Sequence, residues 1–223
     1  MRVAIFGGSF NPPILAHLRV AEGVLAEKKR LRVDQVWMMP VFTHTFGKEM
    51  LDFDARMRLC RIAVGDKPGI FVSNFEEKIA GRTLLETGTM KTLCELISSY
   101  SPINGVSFRI VIGLDNAIDI ERWRYSKELR ALASFIVVPR PGYVHDPKAW
   151  YMTDSCSSSG IVLSSRTLKN DYLPGLSTGD VSSSQVRGYL KMWTDRAAPP
   201  PDALKGLLDP AVIEEIRSQN LYL

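Results

Sequence analysis

Apolar residues along the chain come in two alternating patterns: short continuous runs and longer stretches at helical spacing. Arg2 to Phe6 is a brief apolar run stopped by Gly7 and Gly8, as expected of a buried parallel strand. Pro12 and Pro13 follow, and proline is favoured at the first helical position. From Leu15 to Lys28, Leu18, Ala21, Val24 and Leu25 recur with a helical period. The pattern then predicts a strand at Gln35 to Met39, a long loop over Val41 to Phe53, a helix at Asp54 to Val64 and a strand at Ile70 to Phe75. It continues with a helix at Thr83 to Tyr100, a strand at Phe108 to Ile112, a mainly helical stretch at Glu121 to Leu132 and a strand at Phe135 to Val138. A short strand is expected at Ile161 to Leu163, a helix at Ser183 to Met192 and a closing helix at Pro210 to Gln219. Strands alternating with helices argue for an α/β fold built on a doubly wound parallel sheet. Residues 1–198 are expected to form that domain, and 199–223 a C-terminal helix packed on it after Pro199-Pro200-Pro201. Tyr143 to Asp180 is rich in serine and glycine and weakly periodic, and carries no firm element beyond that strand.

Composition narrows the class. The 223 residues are 45% hydrophobic and 23% charged, ordinary for a globular chain. No run of about eighteen apolar residues exists, and the N-terminal run is too short for a signal peptide, so a cytoplasmic protein without membrane contact is expected. Cys60, Cys94 and Cys156 are scattered and odd in number, which does not make a disulfide framework. The net charge of +4 suits an anionic small ligand. The one tight basic cluster, Lys28-Lys29-Arg30, sits where a helix should end and complements its dipole. No basic stripe with interleaved aromatics is present, so nucleic acid is not an expected partner.

The most informative stretch is Gly7-Gly8-Ser9-Phe10-Asn11-Pro12-Pro13-Ile14-Leu15-Ala16-His17. A glycine turn between a first strand and a helix exposes backbone N–H groups that bind phosphate. It fits neither the dinucleotide fingerprint nor the P-loop pattern. His17 stands in the first helical turn, beside that anion site; the other reading is a packed histidine. The run resembles the G-x-F-x-P-x-H-x-G-H signature of the nucleotidylyltransferase superfamily, matched at Gly8, Phe10, Pro12 and His17 and departing at Ile14 and Ala16. Gly113-Leu114-Asp115-Asn116 with Trp123, Val138-Pro139-Arg140-Pro141-Gly142, Ser182-Ser183-Ser184-Gln185-Val186-Arg187 and the closing Asn220-Leu221-Tyr222 resemble segments of nicotinate and nicotinamide mononucleotide adenylyltransferases, in that family's order.

The resemblance implies a Rossmann-like fold and transfer of AMP from ATP to a pyridine mononucleotide in NAD biosynthesis, with Mg²⁺ accompanying ATP. The attacking phosphate monoester has a second pKa of roughly 6, so no side chain has to deprotonate it near neutral pH. Alignment and charge neutralisation then carry the reaction. By the same resemblance His17 donates to the α-phosphate, and Lys48 and Arg187 contact phosphates. Gly8, Ser9, Phe10, Asp115, Arg140, Ser183 and Ser184 line ATP, and His44, Thr89 and Trp123 the mononucleotide. Lys91 in that neighbourhood would favour the nicotinate carboxylate. Each has a plainer reading: a serine N-cap with a solvated arginine, a core tryptophan, a helix-capping Asp115, surface positions for His44 and Lys48. No residues are expected to cage a metal, and a homodimer is left open. Two further functions remain in view, another nucleotidylyltransferase such as pantetheine-phosphate adenylyltransferase, or a nucleotide sensor without turnover.

Overall fold

A computed structural model describes residues 1–43, 49–80, 88–104, 106–152, 169–176 and 181–223. Six strands form one sheet in the order β3-β2-β1-β4-β5-β6. They are β1 (Arg2–Gly8), β2 (Gln35–Pro40), β3 (Ile70–Val72), β4 (Ser107–Gly113), β5 (Ser134–Val138) and β6 (Asp171–Tyr172). Every pairing is parallel. Parallel strands need crossovers that cover both faces, which is why β4 and β5 read as almost unbroken apolar runs. All five residues of β5 are buried.

Alternate residues of β1 serve opposite faces. Ala4 and Phe6 join one core with residues of α1 (Leu15–Ala26), the short α2 (Lys28–Leu31), α3 (Phe53–Val64), α8 (Ser183–Met192) and α9 (Pro210–Ser218). Val3 and Ile5 join the other with residues of α4 (Phe75–Ala80), α5 (Thr89–Asn104), α6 (Leu114–Ile118) and α7 (Ser126–Leu132). The chain thus leaves β1 toward one face and β4 toward the other. Val212, Ile213 and Ile216 of α9 lie in the same core as Phe6. Local chemistry fixes the helix starts: Asp52 accepts from the Ala55 N–H at 2.7 Å, and Asp209 from the Ala211 N–H at 2.9 Å ahead of Pro210.

Several boundaries move from the sequence reading. Gly7 and Gly8 continue β1 rather than ending it, pairing with Met39 and Pro40. Helix α1 stops at Ala26, and the left-handed Arg32 (φ 52°) then turns the chain toward β2 behind the fully buried Leu31. Phe75, expected to close a strand, opens α4 with its ring in the core. The stretch Glu121 to Leu132 is mainly helical as expected, in two pieces: a 3-10 turn at Ile120–Arg122 and α7 from Ser126, divided at Tyr125 (φ 60°). Ile161 to Leu163 and Cys156 lie outside the described residues, and the sixth strand is Asp171–Tyr172. No helix among the described residues is long and apolar enough to cross a membrane.

One buried cation staples the amino ends of the strands. Arg109, 2% exposed, donates to the carbonyls of Leu31 (2.7 Å), Phe135 (3.1 Å) and Lys169 (2.7 Å) and to Ser134 Oγ (3.1 Å), and pairs with Asp171 at 2.9 Å. Truncating it strands several buried acceptors and leaves Asp171 with Arg30 alone of its two arginines. Arg109→Ala is expected to lower unfolding stability by about 3 kcal/mol, read by urea denaturation.

Candidate active site

In open parallel sheets ligands bind beyond the carboxyl ends of the strands, where the strand order reverses. Here the reversal falls between β1 and β4, so the glycine turn after β1 and the turn after Gly113 face each other across one crevice. Gly8 admits a close approach: a Cβ there would stand 3.2 Å from Cζ of Phe10, a tight contact that the ring would have to relieve by a few tenths of an ångström. Phe10 itself turns the chain at φ 41°, with its ring 1% exposed and edge-on to Phe6 and His17 at centroid distances of 5.5 and 5.0 Å.

His17 is half-buried at the third position of α1. Its Nδ1 accepts the Ile14 N–H at 3.0 Å. That bond leaves Nε2 as the protonated nitrogen of the neutral ring. Burial first, and the charge of Arg140 second, push the His17 pKa down to about 4. His17 at neutral pH is therefore an uncharged N–H donor. The glycine turn before this helix is the segment expected to offer amides to phosphate; at the helix start itself the first amides are already bonded. Leu15 N–H donates to the Leu207 carbonyl at 2.8 Å, and Ile14 N–H to the imidazole.

Arg140 leaves β5 toward Asp115, 3.7 Å away, and both side chains are about one-third exposed. Asp115 lies in the first turn of α6 with its carboxylate folded back over Gly113, where a Cβ would collide with it. Of the serine cluster, Ser182 is the N-cap: it accepts from Gln185 N–H at 3.3 Å while Gln185 Oε1 accepts the Ser182 N–H at 2.7 Å. Ser183 Oγ donates to the Pro12 carbonyl at 2.9 Å. Ser184 is exposed and accepts from Arg187 at 3.0 Å, and Arg187 also donates to the Asn11 carbonyl at 2.8 Å. Arg187 is thus tied to the glycine turn rather than solvated.

The structure brings His17, Arg140 and Asp115 into one electrostatic group and bonds Ser183 to Pro12 and Arg187 to Asn11, with Ser184 exposed against Arg187. Thr89, the first residue of α5, and Trp123, packed on the second core, are half-buried and make no hydrogen bond to that set among the described residues. His44 and Lys48 lie outside the described residues. Three site-framing residues escaped the sequence reading. Asn11, 1% exposed, accepts Tyr222 O–H at 2.8 Å and Leu51 N–H at 3.4 Å on Oδ1. Arg56, 1% exposed, donates to three loop carbonyls. Glu76, 8% exposed, accepts Phe42 N–H at 2.9 Å and the Thr92 hydroxyl at 3.3 Å, and burial raises its pKa. A signal for Arg56 was present, since it sits in the apolar stripe with Leu59, Cys60 and Ala63.

Residues 5–188 match the cytidylyltransferase-like family. A probable nicotinate-nucleotide adenylyltransferase from Citrifermentans bemidjiense is 30% identical over 242 aligned positions, covering 100% of this chain and 99% of that protein. Another from Anaeromyxobacter dehalogenans (strain 2CP-C) is 29% identical, covering 99% and 96%. Among solved structures, Plasmodium falciparum nicotinic acid mononucleotide adenylyltransferase complexed with NaAD superposes with a TM-score of 0.75 at 21% identity, covering 99% of this chain and 97% of that one. With these relatives, the fold and site define a nucleotidyltransferase. The chain belongs to the cytidylyltransferase-like family and, within it, to the nicotinate-nucleotide adenylyltransferases.

The lowered His17 pKa has a thermodynamic signature. Between about pH 6.5 and 4 the unfolded chain takes up a proton at this position that the fold refuses, so stability is full above 6.5 and falls as pH drops toward 4. An imidazole NMR titration should give a midpoint near 4 for His17. His17→Asn should flatten the acid loss of stability across that window.

Proposed function

We propose that the chain transfers the AMP group of ATP to nicotinate mononucleotide, giving a dinucleotide and pyrophosphate in the synthesis of NAD. The observation that carries this reading is the uncharged His17, whose Nε2 proton has no hydrogen-bond partner among the described residues, set next to Arg140 at the switch point of the sheet. The names of the full-length relatives support it.

A phosphate oxygen of the mononucleotide attacks the α-phosphorus, and the bond to the bridging oxygen of the β-phosphate breaks. The electron pair leaves with pyrophosphate, and no proton has to move in that step. His17 Nε2–H donates to an α-phosphate oxygen as charge gathers there. A neutral donor can serve this task, since what the step needs at that oxygen is a placed N–H. Arg187 offers phosphates the N–H groups not held by Asn11 and Ser184. The Ser183 proton is committed to Pro12, so the exposed Ser184 is the better hydroxyl for a terminal phosphate. Asp115 takes the ribose of ATP, Arg140 flanks the adenine side, and the backbone at Gly8, Ser9 and Phe10 borders both substrates. Thr89 and Trp123 serve the pyridine end, with the indole stacked on the flat, electron-poor ring. Lys48 and His44 serve phosphates and mononucleotide as the family resemblance implies. Among the described residues no three His, Cys, Asp or Glu side chains gather as they would around a metal ion. Mg²⁺ bound to the triphosphate would neutralise charge on its oxygens.

Pyrophosphate release with ATP, Mg²⁺ and each mononucleotide tests the reading. Turnover is expected with nicotinate mononucleotide and weaker turnover with the nicotinamide form. Binding without release would instead support a sensor. His17→Ala should lower kcat by roughly 10²- to 10³-fold, the usual loss for one preorganised donor, with circular dichroism unchanged.

A further inference from the structure

The loop after β1 and the loop after β2 are joined from below by one guanidinium. Arg56 reaches up from the first turn of α3 and is 1% exposed. Its Nη1 donates to the Ser9 carbonyl at 3.0 Å, in the glycine turn. Its Nε donates to the Leu51 carbonyl at 3.0 Å and its Nη2 to the Phe42 carbonyl at 3.4 Å. Phe42 and Leu51 bracket the chain that carries His44 and Lys48. A second tie runs parallel to the first. Asn11 Oδ1 accepts both Leu51 N–H and Tyr222 O–H, while the Asn11 carbonyl accepts Arg187. Glu76 fixes Phe42 from the other side through its N–H.

A buried guanidinium is costly to desolvate, and among the described residues none of its three partners is a carboxylate. An aliphatic residue would fill this core position more cheaply. What a planar fork supplies is direction: three acceptors on two separate loops are held at angles that one rigid group dictates. We propose that Arg56, assisted by Tyr222 through Asn11, is a positioning residue that sets the glycine turn and the ends of the second loop in the mutual register needed for in-line transfer. This deepens the adenylyl-transfer reading and rests on it. The two loops address the two substrates, so their relative placement fixes the approach of one phosphate to the other. Displacement by about 1 Å is enough to cost on the order of 10²-fold in rate.

Two variants test it. Arg56→Lys keeps the charge but loses the fork. Tyr222→Phe removes one hydroxyl and keeps the ring. In Arg56→Lys, kcat should fall about 10- to 100-fold while KM for ATP and for the mononucleotide each stay within about threefold. Amide exchange at Leu51 should quicken at least about tenfold, with that at Phe135, on the far side of the sheet and bonded to Asn170, unchanged. Tyr222→Phe should shift the same two readouts in the same sense, by a smaller factor. A merely structural arginine would instead lower the folded fraction and leave kcat per folded molecule intact, which overturns the proposal. Unchanged Leu51 exchange in folded Arg56→Lys overturns it as well, and Tyr222→Phe decides if the lysine variant does not fold. Absence of wild-type turnover would defeat only the adenylyl-transfer reading, since exchange is measured without substrate.

Discussion

The parallel pairing of β1 with both β2 and β4 is the constraint from which the rest follows. Strands in register at their carboxyl ends oblige every crossover to begin at the same edge of the sheet. Because the chain goes to opposite faces after β1 and after β4, the two turns diverge and leave a crevice between them. The glycine turn, the Gly113 turn and the segment after β5 meet there without any of them having to be long. A cleft for an extended nucleotide is thus a property of strand order before it is a property of side chains.

Buried guanidinium groups hold that edge and its opposite together by the same physical means. Arg56, Arg109 and Arg196 are each less than a tenth exposed, and each spends its protons mainly on backbone carbonyls of segments far apart in sequence. Arg196 joins the end of α8 to Leu221, 25 residues on, with its guanidinium over the Trp193 ring. Irregular backbone near a core would otherwise leave carbonyl oxygens without donors. A five-proton planar group satisfies several at once. Arginines on α3, on β4 and in the turn after α8 thus complete the hydrogen bonding of the irregular segments they reach.

Much of this architecture was legible in the sequence. Period and punctuation located five of the six strands closely enough to give the doubly wound class, because buried parallel strands are short, apolar and ended by glycine or proline. Helix α8 emerged with its described bounds, since the serine-rich start and the apolar spacing agree. What escaped was tertiary. Phe75 and Tyr125 carry no local signal of helix start or helix break, as ring burial and a left-handed turn decide them. The two-residue β6 is held by its neighbour β5 and by Arg30 and Arg109 on Asp171. The place of His17 in the first turn of α1 was legible, but not its tautomer, which depends on the Ile14 amide. Asn11 and Tyr222 are 211 positions apart, and no periodicity links them. Arg56 alone left a trace, a charge in an apolar stripe.

The placement of Arg109 has an evolutionary corollary. It sits on β4 four residues before Gly113, about 13 Å away along a stiff strand. Arg109 anchors one rim of the sheet, and the loops of the candidate site lie at the other. Lineages descended from such a chain could alter their substrates by rewriting the loops at the open rim, while the anchored rim absorbs the destabilisation that new functions bring. Durability and innovability are spatially uncoupled by the length of a single β-segment.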